Sequence, residues 1–186
     1  MTNSAKTGVS VFIATSLDGY ISRPDGDIDW LNDAESPGEG EDCGFGEMFT
    51  SVDALVMGRN TFEKVLEFGL DKWPYGDKAV IVLSRNLTEI PKQLQATVSM
   101  TKGSPKELIS ELNGKGYRQI YLDGGKTIQA FLRNGLVNDL TITTIPILIG
   151  RGRSLFGELE IDIKLRHLQT QSWKNGFVQS RYEVTC

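Results

Sequence analysis

The sequence predicts a single α/β domain (residues 1–186): a central mixed sheet of about eight strands, flanked by about four helices, with a C-terminal antiparallel hairpin. Three observations carry this. Short apolar, β-branched runs recur along the chain. Helical apolar stripes with start and stop signals lie between the middle runs. An Asn-Gly pair separates the last two runs.

The first strand is expected at 9–16, VSVFIATS. The runs DALVMG (53–58) and KAVIVLS (78–84) are continuously apolar, as strands buried on both faces are. ATVSMT (96–101) and RQIYL (118–122) follow. DLTITTIPILIG (139–150) reads as one long strand, with Pro146 marking a bulge or an edge position. The stretches 163–172 and 176–185 flank Lys174-Asn175-Gly176, a hairpin signal.

Helices are expected between the middle strands. Asn60-Thr61-Phe62-Glu63 has capping-box spacing, ahead of a stripe of Phe62, Val65 and Leu66 and a stop at Gly69. Ser104-Pro105-Lys106-Glu107 is a full capping box with Pro at the first helical position, followed by Leu108, Ile109 and Leu112. Ile128, Phe131 and Leu132 form a third stripe, closed by Asn134-Gly135. A short helix is expected around Glu47–Ser51. The Gly-rich, acidic stretch 34–46 reads as a mobile loop.

Composition narrows the function. A chain of 186 residues can bury a sizeable core. Twenty basic against 24 acidic residues give a net charge of −4, which is not the footprint of a nucleic-acid binder. No apolar stretch approaches the ~20 residues that span a bilayer. MTNSAKTG lacks a signal core, so a cytoplasmic location is expected. Cys43 and Cys186 make no disulfide framework. One histidine, His167, argues against a multi-His metal centre or a Ser-His-Asp triad, and no metal is expected.

The chemistry-bearing stretches lie where strands meet helices. In Asp123-Gly124-Gly125-Lys126-Thr127 an apolar run ends in an acid, and two glycines precede a helix. Helix N-termini offer unpaired N–H groups and partial positive charge, and glycines let a phosphate approach the backbone. A tight turn with no ligand explains the same residues equally well. The P-loop pattern fails because its first glycine would fall at Ile120, and no G-x-G-x-x-G follows a strand. Gly58-Arg59-Asn60-Thr61 and Leu83-Ser84-Arg85 end two neighbouring strands in the same manner. Together the three strand ends suit a ligand with several phosphates, which Arg pairs with bidentately.

These stretches resemble a known family. Ser16-Leu17-Asp18-Gly19-Tyr20-Ile21, the Asp25–Trp30 segment, Val56-Met57-Gly58-Arg59-x-Thr61, Leu83-Ser84-Arg85, Asp123-Gly124-Gly125 and Ile145-Pro146-x-Leu148-x-Gly150 occur in family order over almost the whole chain. The chain resembles the dihydrofolate reductase-like superfamily, most closely the C-terminal reductase domain of bifunctional riboflavin biosynthesis proteins. The resemblance implies an NADPH-dependent reductase of a small heterocycle, similar to the 5-amino-6-(5-phosphoribosylamino)uracil reductase. Gly58, Arg59, Asn60 and Thr61 would hold the pyrophosphate and the adenosine 2′-phosphate. Leu83, Ser84 and Arg85 would bracket the adenosine. Gly124, Gly125, Lys126, Thr127 and Ile128 would cradle the pyrophosphate, with an unusual backbone at Gly124-Gly125, which is often cis in such reductases. Ala14, Leu17 and Ile21 would line the nicotinamide pocket. A homodimer is a family-level expectation.

Hydride transfer needs the ring carbon held against an electrophilic carbon, water excluded and a proton source. Candidate acids are Asp123, Asp18 and Glu47, with Asp42, 16 positions before Gly58, as a further acid on the substrate side. Riboflavin-type domains usually have Glu at position 123. Asp18 either takes part in the chemistry or structures a turn with Gly19. Trp30 either stacks on a flat heterocycle or packs in a core or lid, and Phe49 is expected beside the substrate. Riboflavin-type reductases commonly carry Lys where this chain has Phe12. Other readings are a dihydrofolate or pterin reductase, or a non-catalytic NADP-binding protein. Gly150-Arg151-Gly152-Arg153 reads as a loop.

Overall fold

The computed structural model describes residues 6–86 and 89–185. Met1–Ala5 and Cys186 lie outside the described residues, so the N-terminal and second-cysteine readings are not addressed. The chain forms β1 (Gly8–Ser16), β2 (Tyr20–Ser22), α1 (Asp29–Asn32), α2 (Phe45–Ser51), β3 (Ala54–Gly58), α3 (Arg59–Leu66), β4 (Ala79–Leu83), β5 (Val98–Thr101), α4 (Pro105–Gly114), β6 (Gln119–Asp123), α5 (Gly125–Arg133), β7 (Asp139–Ile145), β8 (Arg153–Ser154), β9 (Lys164–Ser172) and β10 (Val178–Thr185).

Eight strands make one sheet, in the order β5-β4-β3-β6-β1-β7-β10-β9. The strands from β5 to β7 are parallel, and β10 and β9 add the antiparallel edge. β2 and β8 form a separate two-stranded ribbon.

Alternation along the strands divides the core into two layers. Val9, Val11, Val56, Ile81, Ile120 and Leu122 face the side covered by α4 and α5, where Leu108, Leu112, Ile128 and Phe131 are fully buried. Leu55, Met57, Val80, Val82 and Tyr121 face the other side, against Phe62 and Val65 of α3 and the partly buried Phe45 and Phe49 of α2. Truncating a fully buried ring such as Phe131 to Ala costs about 3–5 kcal/mol.

Several expectations hold in detail. Both halves of the Ser104–Glu107 capping box are present, with Pro105 in the first turn. The Asn175-Gly176 hairpin closes with Trp173 and Phe177 bonded and Gly176 at φ +89°.

Others are corrected. α3 starts at Arg59 on Gly58, with no side-chain cap, so Asn60 and Glu63 sit inside the helix rather than forming a capping box. β7 stops at Ile145, because Pro146 cannot extend the ladder. The bulge lies instead in the β9–β10 pair, at Arg181/Tyr182. The stretch 34–46 is irregular up to Gly44, as expected, and α2 takes its last two residues; Asn175 Nδ2 donates to the Glu35 carbonyl, and Gln179 Nε2 to the Cys43 carbonyl. Among the described residues there is no cis peptide bond. The unusual backbone at the Gly-Gly pair is Gly124 itself, at φ +90°, ψ 127°.

Candidate active site

Parallel pairing brings the three predicted strand ends level. Gly58 pairs with Leu83, and Met57 with Asp123, so the ends of β4, β3 and β6 form one rim. β1 runs further. Val11 pairs with Leu122, and β1 then continues beside β7 as far as the Ser16–Ile145 pair. The flank of β1 at Ala14–Ser16 is therefore left without a strand partner on the β6 side, next to the start of α5. Such a switch point is where open α/β sheets bind ligands.

Two helices begin at this rim, α3 on Gly58 and α5 on Gly124, and neither has a side-chain cap. Their first N–H groups and positive dipole ends stay available. The junctions interlock. A Cβ on Gly58 would lie 2.7 Å from Thr127 Oγ1, a Cβ on Gly124 would collide with Thr61 Oγ1, and a Cβ on Gly125 would lie 2.9 Å from Ile21 Cδ1. A side chain at any of these glycines would force Thr127, Thr61 or Ile21 to shift, whatever else the glycines admit. Arg59 is half-exposed, in a loose 3.7 Å contact with Glu63, and Lys126 is exposed. Ile128 is fully buried, and its N–H makes the first helical bond to the Gly124 carbonyl. Asn60 and Arg85 are exposed, and Ser84 Oγ accepts from Asn86 N–H.

Asp123 ends β6 at this rim. Gly124 N–H donates to its Oδ1 at 2.7 Å, but desolvation by burial dominates and pushes the carboxyl up to about 6. Burial, and after it the Asp123 charge, raises the phenols of Tyr75 and Tyr121, which keep their protons. The Tyr121 hydroxyl donates to the Phe12 carbonyl at 3.0 Å, and Phe12 packs edge-on against Phe45. Position 12 thus belongs to an aromatic wall.

The other candidate acids are placed elsewhere. Asp18 accepts from Ser16 Oγ (2.6 Å), Gly150 N–H (2.7 Å) and Ile149 N–H (3.3 Å), which ties the β1–β2 turn to the chain beyond β7 and holds its carboxyl below the usual value. Asp42 accepts from Gly44 N–H and Gly46 N–H, and these bonds lower its pKa and organise the start of α2. Glu47 is exposed and lines a cleft of about 910 Å³ with Ser10, Gln119, Asp139 and Arg181. That cleft sits where β6 and β7 begin, the opposite end of the sheet from Asp123.

Of the ring-binding candidates, Phe49 stacks on Phe45 and on Tyr75, with Lys78 Nζ 5.0 Å from its centroid. Trp30 is 3% exposed, in a core cluster with Ile145, Phe177 and Ala14, so it packs as a core residue. Leu17 stands out, 63% exposed, beside β7's end. Sequence reasoning passed over Trp73, Tyr75 and Tyr121. The signal was the Trp73-Pro74-Tyr75 cluster in the connection that leads into β4.

No helix among the described residues is long and apolar enough to cross a membrane. The family profile described as the RibD C-terminal domain matches residues 7–179. A solved Shewanella sp. PV-4 protein named for riboflavin biosynthesis is 42% identical, with a TM-score of 0.90, over 97% of this chain and all of that one. The uncharacterized YwjB of Bacillus subtilis (strain 168) is 34% identical over 84% of this chain and 86% of its own. Acinetobacter baumannii RibD shares the fold, at a TM-score of 0.72 and 16% identity, and this chain spans 59% of it. The match over nearly the whole described chain, on a sheet whose strand ends form this rim, places the protein in the RibD C-terminal domain family.

Proposed function

We propose that this protein is an NADPH-dependent reductase of a small heterocycle of the pyrimidine or pterin type. The observation that carries the reading is the shared rim of Gly58, Leu83 and Asp123, where two uncapped helices start on interlocked glycines. The residues present fit a dinucleotide. The N–H groups opening α3 and α5 suit its pyrophosphate, Arg59 its 2′-phosphate, Ser84 and Arg85 its adenosine end, and Ala14 and Ile21 its nicotinamide.

When bound, the cofactor supplies the hydride. The chain's residues do the rest. The free flank of β1 would hold the ring, the aromatic wall of Phe12, Phe45, Phe49 and Tyr121 would exclude water, and Asp123 would hold a proton for the heterocycle at mildly acid pH. Asp18 works at one remove by fixing the turn that carries Leu17. Phe12, apolar and packed where riboflavin-type domains carry Lys, favours a substrate other than the phosphoribosylaminouracil itself.

A homodimer belongs to the same proposal. β9 is exposed along all nine residues, an edge that isolated domains rarely leave bare, and equilibrium sedimentation at the monomer mass would exclude it.

The activity test follows NADPH oxidation with 5-amino-6-(5-phosphoribosylamino)uracil and with dihydrofolate. Turnover of either supports the reading. Tight NADPH binding with no turnover across a wide panel of heterocycles would indicate a binding protein instead.

A further inference from the structure

The ribbon of β2 and β8 carries an inference that rests on the reductase reading and deepens it. Its strands are three and two residues long, Tyr20–Ser22 and Arg153–Ser154. A two-stranded ribbon this short does not hold its own place, so its position depends on what it is tied to. That position matters, because Ile21 lies against the start of α5. A Cβ on Gly125 would come within 2.9 Å of Ile21 Cδ1 and 3.3 Å of the Ser154 carbonyl oxygen. The ribbon is the wall beside the free N–H groups that open α5.

Three ties fix this wall. Asp18 accepts from Gly150 N–H and Ile149 N–H, ahead of β8. Leu155, just after β8, is buried in the core cluster with Ile128 and Phe131, and its N–H donates to the Gly19 carbonyl at 3.1 Å. The third tie comes from α5 itself. Gln129 Nε2 donates to the Ser154 carbonyl at 3.0 Å and to the Leu155 carbonyl at 3.2 Å. An amide NH₂ carries two donors, enough for both.

Gln129 stands four residues after Gly125, on the same face of α5. The face turned to the ribbon therefore carries a glycine at the rim and a glutamine one turn below it. The fit around the amide is close, since a Cβ on Gly157 would lie 2.8 Å from Gln129 Oε1.

We infer that Gln129 is a positioning residue for the cofactor. Its amide sets the separation between the β2–β8 ribbon and α5, and with it the width of the slot in which Ile21 would meet the nicotinamide end. Gln129 acts through the ribbon's backbone and not on the 2′-phosphate, so NADPH and NADH depend on it equally. Arg59 differs, because its partner in the same reading is the 2′-phosphate.

The test uses Gln129→Met, which keeps the length of the side chain and removes its donors, and Gln129→Glu, which keeps its shape and puts an acceptor in place of the NH₂. Two readouts are taken: amide exchange without ligand, and dissociation constants for NADPH and NADH by fluorescence titration. Exchange at the Leu155 N–H should quicken in both variants while β3, β4 and β6 keep their protection. Both cofactors should bind about fivefold or more weakly, by the same factor, in both variants. A purely structural bond would quicken exchange and leave both affinities unchanged, and that result overturns the inference. Unchanged exchange at Leu155 overturns it as well, as does a loss confined to NADPH or to the Glu variant, which would assign the effect to charge beside the phosphates. A wild type that binds neither cofactor would overturn the reductase reading instead, so the two failures are told apart.

Discussion

Thr127 Oγ1 lies 2.7 Å from the point where Gly58 would carry a Cβ, and Thr61 stands in the same relation to Gly124. Each helix start is thus keyed into the other by a threonine reaching over a glycine. The two sets of free N–H groups are held as one unit.

Gly124→Ala should therefore be costly twice over. The residue sits at φ +90°, where an L side chain is strained, and its methyl would strike Thr61. Left-handed strain and overpacking together amount to about 2–4 kcal/mol. Urea unfolding measures this. Adding Thr61→Ala should recover the packing share and leave the backbone share, a non-additive pair. Strict additivity would contradict the interlock.

Asp123→Asn should stabilise the protein at neutral pH. The folded carboxyl titrates near 6, above its unfolded value of 3.8. The stability linked to its protonated form is complete below about pH 4 and is lost as pH rises through 6. Asn avoids the desolvated charge and still accepts from Gly124 N–H. The variant should gain about 1–3 kcal/mol at pH 7.5 and nothing at pH 4, as read by denaturant midpoints across pH. A gain that does not vary with pH would remove the charge explanation. If Asp123 also supplies the proton, activity should fall as pH rises through the same range.

Arg59→Ala should leave folding nearly untouched, because its contact with Glu63 is long and exposed, and such pairs are worth at most about 0.5 kcal/mol. Its effect should fall on the cofactor: NADPH affinity drops by about tenfold or more and NADH affinity hardly changes. Equal affinity of variant and wild type for NADPH would move the 2′-phosphate elsewhere.

Asp18→Asn should loosen the tie between the β1–β2 turn and the chain after β7. Amide exchange at Gly150 and Ile149 should quicken while the central strands keep their protection. In the wild type the tie is present above the ordinary carboxylate pKa. It weakens as pH falls through the lowered value, since protonation removes acceptors. Unchanged exchange would show that the backbone alone sets the turn.

Much of this was legible in the sequence because it was local. The β-branched runs became β1, β3, β4 and β6, Ser104 and Glu107 closed their box, and Asn175-Gly176 made the hairpin. The rim of Gly58, Leu83 and Asp123 was legible as three similar strand ends. What stayed hidden depends on distant partners. β2 and β8 pair across more than 130 residues, on two or three residues each. Asn60 has the right neighbours for a cap, but the extended backbone at Gly58 starts the helix earlier. Trp30 and Glu47 carry suitable chemistry, yet packing turns one into the core and the other toward the far cleft. Trp73 and Tyr75 join the aromatic layer only through distant partners, Phe49 of α2 stacking on Tyr75 and Phe62 of α3 meeting Trp73.

The central claim is that this rim holds a phosphate-rich dinucleotide, and thermal unfolding with NADPH, with NADH and with neither tests it most directly. A ligand that binds only the folded state adds about 2.7 kcal/mol at 100 times its dissociation constant. The account predicts a clear upward shift with NADPH and little with NADH. No shift with either would mean that the interlocked glycines serve packing alone, and would contradict the claim.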